Sequence, residues 1–135
     1  MMKLIPLKVA TNGILVILSL IIIFHLLVIS GIIPFDIVWG GNIADKKQLW
    51  LMESISIIIT FIMLLFALAY SGIIRIKLHP TAIKIGFWLM FVFVLLNTLG
   101  NILSKNSLET YIFTPLTLLL SLFCFRIAAY GYSNR

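Results

Sequence analysis

Between Val9 and Phe35 the chain carries no Asp, Glu, Lys or Arg. Three more uncharged runs follow, Ser54–Ile74, Ile85–Ser104 and Thr110–Phe125, the last continuing past Arg126 to Tyr130. A membrane helix needs about 20 mostly apolar residues to cross the hydrocarbon core. The runs therefore predict an all-α chain of four transmembrane helices in a bundle, over about residues 9–33, 49–72, 83–104 and 110–130. In the fourth, Arg126 is expected to snorkel its guanidinium to the nearby interface. Composition agrees. The 135 residues are 62% hydrophobic and 10% charged, with a mean hydropathy of +1.20, against about 45–50% and about 25% for soluble domains. A soluble enzyme, a disordered chain and a disulfide-rich secreted module are excluded. Residues 1–135 read as a single integral membrane domain with no linker or internal repeat. The first run exceeds the 7–15 residues of a signal-peptide core, so it is read as a span.

Basic residues orient such a chain. With four spans, Lys3, Lys8, Arg75, Lys77, Lys84, Arg126 and Arg135 share one side, and Lys46, Lys47 and Lys105 the other. Seven against three puts both termini in the cytoplasm and the protein, multi-pass, in the inner membrane. The net charge of +6 is this bias. No basic cluster with interleaved aromatics supports nucleic-acid binding. The partner expected from composition is the lipid bilayer; oligomeric state is not legible. All four acids, Asp36, Asp45, Glu53 and Glu109, fall on the outer side. Phe35, Trp39, Trp50 and Tyr111 would form an outer aromatic belt, and Tyr70, Trp88, Tyr130 and Tyr132 an inner one.

Polar residues converge at one depth. His25 lies roughly 12 Å below the outer end of the first helix, and Glu53 about one turn into the second. Asn97, Thr98 and Asn101 fall in the last turns of the third, and Thr114, Pro115 and Thr117 in the first turns of the fourth. Glu53, Ser56 and Thr60 share a stripe, as do Asn97 and Asn101, with Gly100 beside them. Thr110, Thr114, Thr117, Ser121, Cys124 and Ala128 form a third. Such stripes face the bundle interior, commonly as packing seams. Ionisable groups inside a span are costly and mark functional sites by default. His25 and Glu53 therefore lead as candidates for holding a ligand or moving a proton, although their contact cannot be read from sequence. Asn97, Asn101 and Thr114 would orient a ligand, and Trp39 is a further candidate ligand-binding residue.

The segment from Ile33 to Asn42 is too apolar for a solvated loop. Pro34 should end the first helix, and Gly40-Gly41 should allow a tight turn. The piece between is expected to lie at the interface or re-enter, anchored by Phe35 and Trp39, with Asp36 lining a pocket mouth or capping a turn.

No metal or cofactor is expected. The lone Cys124 cannot run a disulfide relay of the vitamin K epoxide reductase type. His25 and His79 lie on opposite sides, and no metal-ligand spacing occurs. His79 reads as a loop residue. No signature of a hydrolase or phosphate loop exists, so whether the chain is an enzyme is not legible.

His25, IPFDIVWGG (Ile33–Gly41), Glu53-Ser54-Ile55-Ser56, LNTLGN (Leu96–Asn101), Glu109 and FTPLT (Phe113–Thr117) resemble a family of small bacterial four-span membrane proteins of no assigned function. That resemblance covers most of the chain and implies four spans and no activity. Four-span architecture is also shared with the sterol isomerase group and with small multidrug resistance transporters, without a motif match. Those transporters carry their glutamate in the first helix, whereas here it begins the second. The preferred reading is an outward-opening polar pocket that binds a small or amphiphilic ligand. The alternatives are a structural or accessory subunit without a ligand site, and a small proton-coupled transporter.

Overall fold

The structure is a computed structural model and describes residues 4–39 and 42–131. Four helices form it: α1 (Leu7–Ile29), α2 (Lys46–Ser71), α3 (Pro80–Ile102) and α4 (Thr114–Tyr130). A 3-10 turn, Phe35–Ile37, lies between α1 and α2, and a π-helical turn, Glu109–Phe113, leads into α4. All four are long and apolar enough to cross a membrane, and no strand occurs among the described residues. The Gly40-Gly41 turn expected from sequence lies outside the described residues, as do Lys3, Tyr132 and Arg135.

Local chemistry sets the boundaries. Helix α1 stops at Ile29, four residues before the expected end, because Gly31 takes a left-handed φ of +87° that favours glycine. Pro34 comes only after the helix has ended. Helix α2 starts early because Asp45 caps it: its carboxylate accepts from the Gln48 N–H at 2.8 Å, and the Gln48 side chain accepts from the Ala44 N–H at 2.7 Å. This is close to a capping box. His79 is the N-cap of α3, its Nδ1 accepting from the Thr81 N–H at 3.2 Å, with Pro80 as the first helical residue. The π turn precedes Pro115. That proline has no N–H and its ring would press on the carbonyl four residues back, and a widened turn relieves both problems. The Thr114 N–H bonds to the Glu109 carbonyl, five residues back.

The helices are arranged as an open row. Helix α4 packs along α3 and against α1, α1 packs along α2, and α2 and α3 barely meet. Helix α4 is central: 44% of its spanning window is buried, against 22% for α1 and α2. Its inward face is the small-residue stripe Thr117, Ser121, Cys124 and Ala128, all buried. Where α1 meets α4, Gly13 faces Phe123, and a Cβ there would lie 2.2 Å from the ring.

Helices α2 and α3 touch at the end that bears the α2–α3 loop. Phe66 and Phe87 pack with ring centroids 5.2 Å apart, and Tyr70 and Phe87 at 5.1 Å. Tyr70 is thus buried, with its hydroxyl donating to the Gly131 carbonyl at 3.2 Å, and is no interfacial anchor. A Cβ on Gly86 would lie 2.3 Å from Phe66 Cζ. We expect Gly86→Ala to push Phe66 aside and lower stability by about 1–3 kcal/mol, measurable by detergent-denaturant titration. Arg126 differs from expectation as well. It is buried, its Nε donates to the Ile5 carbonyl at 2.8 Å, and its guanidinium lies 5.5 Å from the centre of the Tyr130 ring. A backbone carbonyl and an aromatic face take part of the guanidinium in place of interfacial water, and Nη1 is buried without a hydrogen-bond partner among the described residues.

Candidate functional site

From the aromatic contact at the α2–α3 loop, α2 and α3 diverge toward the opposite end of the bundle. The space between them is a cavity of about 350 Å³. It is lined by Ile21, Phe24 and His25 of α1, Phe113 of the π turn, and Thr117 and Leu120 of α4. Val38 and Trp39 border it from the α1–α2 connection. Ile55 of α2 and Phe93 and Asn97 of α3 line it too and are exposed. The cavity is therefore accessible through the gap between α2 and α3.

A three-residue hydrogen-bonded group stands in its wall. Nδ1 of His25 and Oε2 of Glu53 are 2.6 Å apart. The Trp39 indole N–H donates to Glu53 Oε1 at 2.8 Å. Glu53 is 1% exposed and the His25 side chain 17%. Two elements make the group possible. The α1–α2 contact brings the last two turns of α1 beside the second turn of α2. The connection then folds back: Val28, Val38, Ile43 and Leu49 form a small apolar cluster with Phe35 and Ile37 packed on it. That cluster carries Trp39 over Glu53. Trp39 has a φ of +54°, a left-handed conformation costing a non-glycine residue roughly 1–2 kcal/mol. The bond to a buried carboxylate offsets that cost.

A second polar group lines the cavity on the α3–α4 side. The Thr117 hydroxyl donates to the Phe113 carbonyl at 2.7 Å. It accepts from the Thr98 hydroxyl at 2.9 Å and the Asn101 amide at 3.3 Å. Glu109, buried at the start of the π turn, accepts from the Ser104 hydroxyl.

The expected residues divide as follows. His25, Trp39, Glu53, Asn97 and Asn101 border one cavity, together with Ser56, Thr60 and Thr117. Asp36 does not. It is exposed, and no side chain caps the 3-10 turn, because the apolar neighbours Val38 and Ile37 turn into the packed cluster and leave the acid outside. Thr114 does not line it either; its hydroxyl is spent on the Glu109 carbonyl at 3.2 Å. The buried face of α3 runs Ile83, Phe87, Met90, Val94 and Thr98, so Asn97 is at the exposed rim. Trp39 is a partner of Glu53 and not only a surface anchor. Glu109 was read from sequence only as an outer acid. The signal for it was Asn106, whose side chain accepts from the Leu108 N–H at 2.8 Å. Asn106 followed three residues later by Glu109 has the spacing of a helix start whose first turn tolerates a buried acid.

Among the described residues no three His, Cys, Asp or Glu side chains cluster to hold a metal. No protein-family model, no curated protein and no solved structure matches the chain.

Proposed function

We propose that this multi-pass membrane protein holds a small amphiphilic ligand in the cavity between α2 and α3. The basic-residue asymmetry and the resemblance of its motif words support placing it in a bacterial inner membrane with cytoplasmic termini. The carrying observation is that two hydrogen-bonded groups, His25–Glu53–Trp39 and Asn101–Thr117, stand in the walls of one largely apolar cavity of about 350 Å³. That size is within the usual range for ligand pockets, about 300–1,000 Å³, as is an apolar lining with a few convergent polar groups. Access through the α2–α3 gap suits a molecule that arrives from the bilayer. Transport is less well supported, since Phe66, Tyr70 and Phe87 close the path toward the α2–α3 loop.

Native mass spectrometry of the gently extracted protein tests the reading. The wild type is expected to retain an amphiphile adduct. Ser56→Trp, which fills the cavity from α2, is expected to reduce that adduct at least tenfold with unchanged helical content. Equal adduct in both would overturn the proposal. It would favour the accessory-subunit reading, in which the engagement of both Glu53 oxygens within the protein serves only to lock α1 to α2.

A further inference from the structure

We propose that the head group taken by this cavity is an uncharged hydrogen-bond acceptor, a carbonyl-type oxygen, and that Nε2 of His25 donates to it. The inference rests on the ligand-binding reading above and names the ligand's chemistry. Glu53 would be the obvious contact for a cationic head, but its geometry argues otherwise. Oε1 already accepts from Trp39 and Oε2 faces His25 Nδ1. At 1% exposure, no carboxylate oxygen is left over for a ligand. The atom left over is Nε2 of His25, which has no hydrogen-bond partner among the described residues, on a ring that borders the cavity.

Counting protons fixes what that nitrogen offers. The pair has three possible proton arrangements. In the ion pair, imidazolium faces carboxylate and Nε2 bears a proton. In the neutral pair, the carboxylic acid donates to Nδ1 and Nε2 again bears a proton. Only when a neutral imidazole donates from Nδ1 to a carboxylate does Nε2 carry a lone pair. That arrangement has a net charge of −1. Moving an uncompensated charge into apolar surroundings costs several kcal/mol, and no Lys or Arg lines the cavity to offset it. Both net-neutral arrangements therefore present an N–H donor.

A donor in an apolar cavity selects an acceptor. A quaternary ammonium has none. A carboxylate head would accept, but it would bring a further negative charge beside Glu53 and Glu109, with no lining cation to balance it. An uncharged carbonyl satisfies the donor at no charge cost. The Asn97 amide, at the gap and without a partner among the described residues, can donate a second bond. Phe24, Phe93, Phe113 and Ile59 then contact the chain, which can leave through the α2–α3 gap. Glu53 acts here as a positioning residue: it orients the imidazole, as carboxylates behind metal-bound histidines do.

Histidine ¹⁵N spectroscopy of the full-length protein in nanodiscs tests this directly. The His79→Asn background leaves His25 as the sole histidine, and asparagine can replace the N-cap. The probes are dodecyl methyl ketone, dodecyltrimethylammonium and tridecane. We expect a proton on Nε2 before any addition. The ketone should shift the Nε2 resonance saturably and bind at least ten times more tightly than either other probe. His25→Phe should remove that preference and leave tridecane binding unchanged. Ketone affinity no better than that of tridecane or the ammonium, or an Nε2 without a proton, would overturn the head-group assignment alone. No saturable shift with any of the three would overturn the binding reading, and the assignment with it.

Discussion

Glu53→Ala is expected to lower stability by about 2–4 kcal/mol, and Glu53→Gln by clearly less. The alanine variant leaves His25 Nδ1 and the Trp39 indole N–H without their shared hydrogen-bond partner. Each buried orphan donor costs about 1–3 kcal/mol. Hydrogen bonds between membrane helices average only about 0.6 kcal/mol, because the unfolded chain finds other partners in the bilayer. Two features lift this case above that average. One carboxyl group bonds two partners, from α1 and from the α1–α2 connection, at once. Its loss also frees the left-handed Trp39 backbone, so the 35–39 segment should detach from the end of α2. Glutamine keeps an acceptor oxygen for one of the two partners. Steric trapping or denaturant titration in mixed micelles gives the stabilities, and Trp39 fluorescence reports detachment of the segment. Equal losses for the two variants would mean that packing, and not hydrogen bonding, holds the segment.

Phe87→Ala is expected to have the other large effect, about 2–4 kcal/mol. Phe87 is fully buried and is the residue on which Phe66 and Tyr70 both pack. In a bilayer the transfer part of the cost is small, since lipid tails are as apolar as the core. What remains is lost van der Waals contact and the void left behind, at about 24 cal/mol per Å³ of cavity. Because α2 and α3 meet almost nowhere else, this loss should also loosen their relative position. Spin labels on the exposed Ile62 and Leu89 should then show a broadened distance distribution, with helical content unchanged. A distribution as narrow as in the wild type would mean that α1 and α4 alone hold the pair.

Span number and the inward stripe of α4 were legible because both follow from local patterns: charge-free length, and small residues at helical spacing. The pairing of His25 with Glu53 was half legible. Cost and depth singled out each residue, but contact depends on α1 packing along α2, which no residue spacing encodes. Trp39 was legible as a candidate site residue and as a surface anchor, but its indole bond to Glu53 was not. Here, folding back of the apolar 33–39 segment turned the indole inward. Asp36 was overrated for the converse reason: its acidity attracted notice while its apolar neighbours competed for burial and won. The end of α1 at Gly31 and the π turn before Pro115 required backbone geometry, which residue patterns do not carry. The open row of helices could not be foreseen at all. Four apolar spans satisfy a closed ring equally well, and the cavity exists only because α2 and α3 stay apart.

Short-reach photo-crosslinking tests that separation most directly. A diazirine side chain at Ile59, in the cavity wall, and another at Phe66, in the aromatic contact, would be irradiated in separate samples of the protein in lipid nanodiscs. Position 59 is expected to label lipid or a bound amphiphile with little crosslinking to α3, while position 66 crosslinks to the α3 peptide around Phe87. Efficient crosslinking of position 59 to residues 93–101 would mean that α2 and α3 close on each other along their length and leave no room for a ligand.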